Sequence, residues 1–406
     1  MARTLAFLPL IVWVALTTHT YGFDQSYLDR LRLERACPGC DLRNAPLARL
    51  ALFQADLRNA DLRGAVLLGM DLTLANLSGA RLAGARLINA NLSQTDFSGA
   101  KAQNAVFLGT LLDDATFRKA DLSGANLENL HLSRVEFSGV LLTKANLAGA
   151  NLSGARLENA DLTSAKAAGA NFQKAAMKRV RLNGISAQGG DFRGADLAGA
   201  RMERGDFRKS DFWKAKLIRV TLSNSDLRDT NLEAADFSGA DVSMTDFCGA
   251  VLVSAKLSGT NLTGADLRRV NLRHTDLRSV TLARANLAGA YLGASRLDGG
   301  NLSGADLTRA RLSWASLQKA HLTDVRLVSA ALRGVKLTGA NLENADLSGA
   351  DLRDARLDNV ILRKTRFTRA NLKRASLIGI RLEMADFSEA RFCRTRFDKK
   401  ERSEHC

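Results

Sequence analysis

Proline is scarce in this chain of 406 residues: Pro9, Pro38 and Pro46 are the only three, so none follows in the last 360. Histidine is almost as rare, and His19, His131, His274, His321 and His405 lie far apart. No Ser on a strand-to-helix elbow and no Gly-rich phosphate loop accompanies them. That spread supplies neither a nucleophile with its base nor a metal-ligand set, so the chain reads as a non-enzyme without a cofactor. Acidic residues are in deficit, 42 Asp plus Glu against 58 Lys plus Arg, which gives a formal charge of +16 and excludes a strongly negative surface. Long apolar runs are missing apart from Leu5 to Leu16, which falls short of the roughly 20 residues of a membrane span. Arg3, that run, and Thr17 to Gly22 have the three-part form of a secretory signal peptide, 1–22, with cleavage after Gly22. The mature chain is then exported, periplasmic or secreted, and keeps a charge of +15 once Arg3 is lost.

What the chain does contain is a period of five. From Leu42 to Phe397 a large apolar residue stands at every fifth position without insertion or deletion, and of 72 such anchors only Ala102, Ala167 and Ala187 are small. The residue two before each anchor is Ala at 43 of the 72 positions and never charged. Residues two apart on an extended chain point to the same side, so the small residue and the anchor face inward while the residue between them faces out. A unit such as Ala120-Asp121-Leu122-Ser123-Gly124 is a short strand followed by a corner of turn-forming residues. A period of five fits neither a helix at 3.6 nor a flat strand at 2.0. The chain must turn and stack on itself, and stacking needs every backbone N–H, which explains the missing proline.

Units such as Ala145-Asn146-Leu147-Ala148-Gly149 and Ala345-Asp346-Leu347-Ser348-Gly349 resemble those of the pentapeptide-repeat family. The resemblance spans nearly the whole mature chain. It implies an all-β, right-handed quadrilateral parallel β-helix (a solenoid), four pentapeptides to a coil of 20 residues. Phe97, Phe117 and Phe137, and again Phe172, Phe192 and Phe212, recur at that spacing. Four units per coil give about 18 coils and a rod on the order of 85 Å. The organisation that follows is a capping segment at 23–41, the array at 42–397 and a charged tail at 398–406. The resemblance also makes end-to-end dimers an expectation. Some family members are acidic mimics of duplex DNA that bind type II topoisomerases, and the positive charge here departs from that pattern in sign.

At the N-terminal end Tyr27, Leu28 and Leu31 have helical spacing, which predicts a short helix over the first coil. Cys37-Pro38-Gly39-Cys40 follows it, and a disulfide there would staple the start of the array in an oxidising compartment. Cys393 and Cys406 are candidates for a second bridge, which leaves Cys248 unpaired. The other end carries Phe387, Phe392 and Phe397, to be covered by a second copy of the chain or by the tail. In the middle, the short anchors Ala167 and Ala187 stack near Gly189 and Gly190, which predicts a softer waist at 165–190.

With a 20-residue coil, outward residues fall into columns. Asp206, Asp226, Asp246 and Asp266 form one, with Arg208, Arg228 and Arg268 placed to neutralise it. The face beginning at Leu50 carries Phe53, His131, Trp213, His274, Tyr291 and Trp314, with Arg193 expected beside Trp213 and Arg311 beside Tyr291. Exposed aromatic and Arg residues are the stuff of binding hot spots, so this face is the candidate surface for a protein partner. Basic residues concentrate at 171–220, 12 against 5 acidic, and at 351–406, 15 against 9, which is the footprint for an anionic polymer or envelope surface. The reading is a non-catalytic exported rod that presents a regular surface to a macromolecular partner. Binding of anionic polymers is its alternative. A secreted effector role would need another export route than this N-terminus offers.

Overall fold

The computed structural model describes residues 25–43, 45, 47, 52–398 and 400–402. The segment 1–22 predicted as a signal peptide, His19, His405 and Cys406 lie outside the described residues. From Ala36 onward, parallel bridges join outward residues to those 20 positions later, beginning with Ala36 to Asp56 and Asp41 to Asp61 and running to Ser376 with Arg396. The coils wind as a right-handed quadrilateral β-helix. Each coil thus repeats after four units, and every described anchor from Leu42 to Leu377 is buried.

Each unit is closed by a bond from the small residue's N–H to the anchor's carbonyl, as from Ala60 to Leu57 at 3.1 Å. The second of the two residues between them takes a positive φ, +57° at Asn59, as a type II turn requires. Asn, Lys, Arg and Ser occupy this corner as well as Gly, because closing the coil over-determines the backbone there. Between coils the ladder alternates regularly: Leu57 N–H donates to Asn76 C=O at 2.8 Å, and Asn76 N–H donates back to Ala55 C=O at 2.8 Å.

Phenylalanine rings stack one above another along the axis. Phe97, Phe117 and Phe137 lie 4.7 and 5.2 Å apart, and Phe172, Phe192 and Phe212 lie 4.9 and 4.6 Å apart. Where Thr or Ser replaces the small residue, its buried hydroxyl finds a carbonyl. Thr95 donates to Leu72, Ser225 to Met202 and Thr245 to Leu222, each at 2.8 Å. These positions therefore keep the polar atom paired inside an otherwise apolar shaft.

The predicted waist is not where the ladder weakens. Around 165–190 every inter-coil bond is present, including Ala167 to Ser186 at 2.7 Å and Ala187 to Asp206 at 2.8 Å. Volume lost at the two alanines is offset on the adjacent side by the Phe172–Phe192–Phe212 stack, with Phe207 edge-on to it at 5.9 and 5.7 Å. The ladder opens instead at three other places; size at the small position does not decide this alone, since Val180 and Ile185 hold that position within 165–190 with every bond present. Bridges are missing, among the described residues, between 111 and 131, 256 and 276, and 361 and 381. The residues just before 131, 276 and 381 are Leu130, Thr275 and Ile380. Neighbouring coils show the same opening in milder form, with bonds stretched to 3.4 Å at Glu136, after Val135, and at Asn271, after Val270.

At the N-terminal end, helix α1 (Gln25–Glu34) buries Leu28 and Leu31 on the first coil. The ladder begins one unit earlier than Leu42, because Cys37 is itself a buried anchor and Cys40 its small residue. Cys37 and Cys40 are joined by a disulfide, Cα to Cα 5.4 Å. At the other end a short 3-10 turn (Leu382–Met384) shifts the register by one, so that Lys364 N–H bonds Met384 C=O. Strands β1 (Thr365–Arg366) and β2 (Ala385–Asp386) pair in parallel. Strands β3 (Thr395–Phe397) and β4 (Lys400–Arg402) then form an antiparallel hairpin, which turns the tail back at the end of the shaft. Phe392 is buried, while Phe387 and Phe397 remain half-buried. Cys393 is disulfide-bonded, and its proposed pairing with Cys406 falls on a residue outside the described ones. Among the described residues, no helix is long and apolar enough to cross a membrane.

Candidate partner-binding surfaces

The carboxylate column is neutralised by the chain itself. Arg208 grips Asp206 through two bonds, at 2.6 and 2.9 Å, and reaches Asp226 at 3.5 Å. Arg228 repeats this on Asp226 and Asp246, and Arg268 on Asp266. The Arg208 guanidinium holds the Asp206 carboxyl below the ordinary range. The motif is local: in Asp-x-Arg both side chains emerge on one side of a short strand, so the fork closes two residues away. Among the described residues, no group of three or more His, Cys, Asp or Glu is placed to hold a metal ion.

The aromatic face divides into two separate places. Tyr291 is flanked by Arg311 at 4.9 Å and also by Arg273 at 5.1 Å, so the expected cation–π contact is doubled. Trp314 is 61% exposed and lies flat over Gly334, occupying the space a Cβ there would need. Trp213 sits about four coils away, and Arg193 is not its partner. Asp191 takes that guanidinium in a fork at 2.6 and 2.9 Å, and Lys214 lies over the Trp213 ring instead, at 4.1 Å. Burial raises the affinity of Asp191 for its proton, but the side-chain fork, the backbone N–H and the charge of Arg193 together outweigh it and leave the group below its usual range. Phe53, His131 and His274 are exposed, and His274 follows Arg273 of the Tyr291 cluster, its N–H on the Gly293 carbonyl at 3.1 Å.

Two surfaces escaped the linear reading. Leu68, Ile88 and Leu108 stack in one outward column with Val66 and Val106 beside it and Leu111, 56% exposed, around the corner. Their 20-residue spacing was the available signal. The second lies within the basic segment 171–220, where Arg179, Arg181 and Arg201 line a common cleft with Asn159 and Gly199.

A closed parallel coil of 20 residues, an aliphatic and aromatic shaft and outward columns of paired charge define a β-solenoid repeat protein. The chain belongs to the pentapeptide-repeat family: the model described as Pentapeptide repeats matches overlapping stretches from residue 37 to residue 399. No curated protein matches the chain. Among solved structures it is similar to HetL, a pentapeptide repeat protein involved in heterocyst differentiation regulation from the cyanobacterium Nostoc sp. strain PCC 7120. The two share 26% identity over 59% of this chain and 97% of that one, with a TM-score of 0.22. Rfr23 from the cyanobacterium Cyanothece 51142 is 28% identical over 34% of this chain and 97% of its own, TM-score 0.20. Full-length QnrB1, a plasmid-mediated fluoroquinolone resistance protein, is 19% identical over 53% and 94%, TM-score 0.24.

Proposed function

We propose that the protein is an exported, non-catalytic rod whose outer columns bind another macromolecule, with a protein partner docking on the face that carries Tyr291 and Trp314. The observation that carries this reading is the Tyr291 ring held between Arg273 and Arg311, one coil from the exposed indole of Trp314. Aromatic and Arg side chains pre-ordered in this way lose little entropy on docking. Export is supported by the leader-like N-terminus and by the Cys37–Cys40 disulfide, which suits an oxidising compartment. The half-exposed rings of Phe387 and Phe397 leave room for an end-to-end homodimer on the same rod.

A photocrosslinker placed in cells at Trp314, with Asp246 as the control face and Ile88 on the aliphatic column, tests the reading. A discrete adduct from Trp314 that disappears with Tyr291→Ala/Arg311→Ala, and is absent from Asp246, is the expected result. An adduct from Ile88 alone would move the docking face, and equal adducts from all three sites would overturn it. The second reading, binding of an anionic polymer, is favoured by Arg179 and Arg201 of the 171–220 segment, which have no carboxylate partner among the described residues.

A further inference from the structure

The edge between two faces of the rod at 159–201 differs from the neutralised Asp column. Arg179, Arg181 and Arg201 converge with Asn159 and Gly199 on a cleft of about 400 Å³. Their charges are only partly met. Arg181 donates to Asp161 at 2.7 Å, but Arg179 uses its Nε on the neutral carbonyl of Asn159 at 3.0 Å. The Arg201 guanidinium has no hydrogen bond or ion pair among the described residues. Glu203, two residues along, spends one oxygen on the Thr221 hydroxyl at 2.6 Å. Lys178 and Lys216 share the single carboxylate of Asp196, each at 3.7 Å. Three guanidinium groups thus have two carboxylates near them in sequence, Asp161, taken up by Arg181 and Thr163, and Glu203, whose second oxygen is buried without a hydrogen bond.

Gly199 shapes the gap. It sits at the corner of its unit with φ +69°, a position that elsewhere holds Asn, Lys or Arg, and it lets the Arg179 stem lie across the backbone. Arg219 follows one coil later at the same corner, so basic residues at Arg179 and Arg219 recur about 10 Å apart along the edge. Planar forks of N–H donors match the oxygens of phosphate or sulfate in pairs, as a lone ammonium cannot.

We infer that this cleft binds a phosphate or sulfate ester, an assignment that rests on the anion-binding reading and gives it a place on the rod. Free phosphate, a lipid headgroup and a sulfated or phosphorylated polymer share this chemistry, and the edge-long spacing of the arginines favours the polymer.

The test uses one carboxylate in two places. Gly199→Asp puts a negative group in the cleft, and the backbone accepts it, because Asp229 and Asp354 occupy the same kind of corner at φ +57° and +61°. The added Cβ meets only the Arg179 stem, at 3.5 Å. Gly199→Asn fills the same space without charge. Gly299→Asp makes the same change in net charge on the same edge five coils away, where nothing lies within 4 Å. Binding of dextran sulfate and of inorganic phosphate is followed by calorimetry, and of phosphatidylcholine vesicles doped with phosphatidic acid by cosedimentation, all with the full chain.

Gly199→Asp should weaken binding of at least one probe by roughly tenfold, the loss of about one charge-assisted bond, while Gly199→Asn and Gly299→Asp stay within about twofold. Which probe responds identifies the source of the ester. Wild-type binding to dextran sulfate that Gly199→Asp and Gly299→Asp weaken equally would overturn the site and leave general anion binding standing. No wild-type binding to any probe would overturn both.

Discussion

The coil holding Val270, Thr275 and Val280, like the one holding Leu130, should open before the intact coils of the shaft. Four bonds to the preceding coil that the repeat makes elsewhere are missing there among the described residues: Ser254 to Arg273, Leu257 to Asp276, Gly259 to Arg278, and Asp276 to Ala255. At about 0.5–1.5 kcal/mol net for each bond, the local deficit is about 2–6 kcal/mol. With 1.4 kcal/mol to a decade, amides at 255–280 should exchange roughly 30- to 20,000-fold faster than those of intact coils. Native-state hydrogen exchange read by mass spectrometry resolves the difference, with 285–305 and 165–190 as internal references. The perturbation is to restore the small residue. Val270→Ala/Thr275→Ala/Val280→Ala should slow exchange across 255–280, although each alanine removes buried methyl groups, because the coil contracts onto its neighbour. If 255–280 exchanges no faster than the two references, or if the triple variant speeds exchange there, swelling at the small position is not what opens the ladder.

Two further outcomes follow from the same geometry. Phe192→Ala removes a fully buried ring stacked at 4.9 and 4.6 Å and should cost about 3–5 kcal/mol, with lost exchange protection confined to the coils of Phe172 to Phe212 because each coil touches only its neighbours. Asp354 is held down to about 2, first by the Arg374 fork and then by Arg333, while burial works the other way. Its folded value lies below its unfolded one, so its contribution is complete above the ordinary carboxylate range and disappears as the pH falls toward 2. Thermal melts of Arg374→Ala should therefore fall less steeply than wild type between pH 4 and 2, and parallel curves would contradict the assignment.

Much of this was legible in the residues, and the rest failed for identifiable reasons. The anchors and small residues fix the shaft because inward positions admit nothing else, and both phenylalanine stacks emerge from a spacing of 20. The Asp206 column was correctly read as self-neutralised because its partners lie two residues away. The same local rule misplaced Arg193: Asp191 is nearer in sequence than Trp213 is in space, and the bidentate pair wins over the ring. Small anchors at Ala167 and Ala187 do not open the ladder, because neighbouring rings make up the volume, and the gaps beside Leu130, Thr275 and Ile380 have no counterpart beside Val180 and Ile185, so residue size alone did not reveal them. Leu68, Ile88 and Leu108 look unrelated in linear order, since only the closed coil makes them neighbours.

The two periods of the chain have different consequences for how it can change. The shaft recognises a residue only by its place within a unit of five, so inserting one whole unit would leave every anchor inside. The surface recognises it by its place within 20. One extra unit would rotate everything downstream by a quarter turn against everything upstream: placed between 228 and 246 it would carry Asp246 away from Arg228, and placed between 181 and 201 it would carry Arg201 away from Arg181, while the core stayed filled. Only a whole coil can be added without scrambling the exterior, so the rod can tolerate sequence drift at almost any outward position yet can grow only in complete turns.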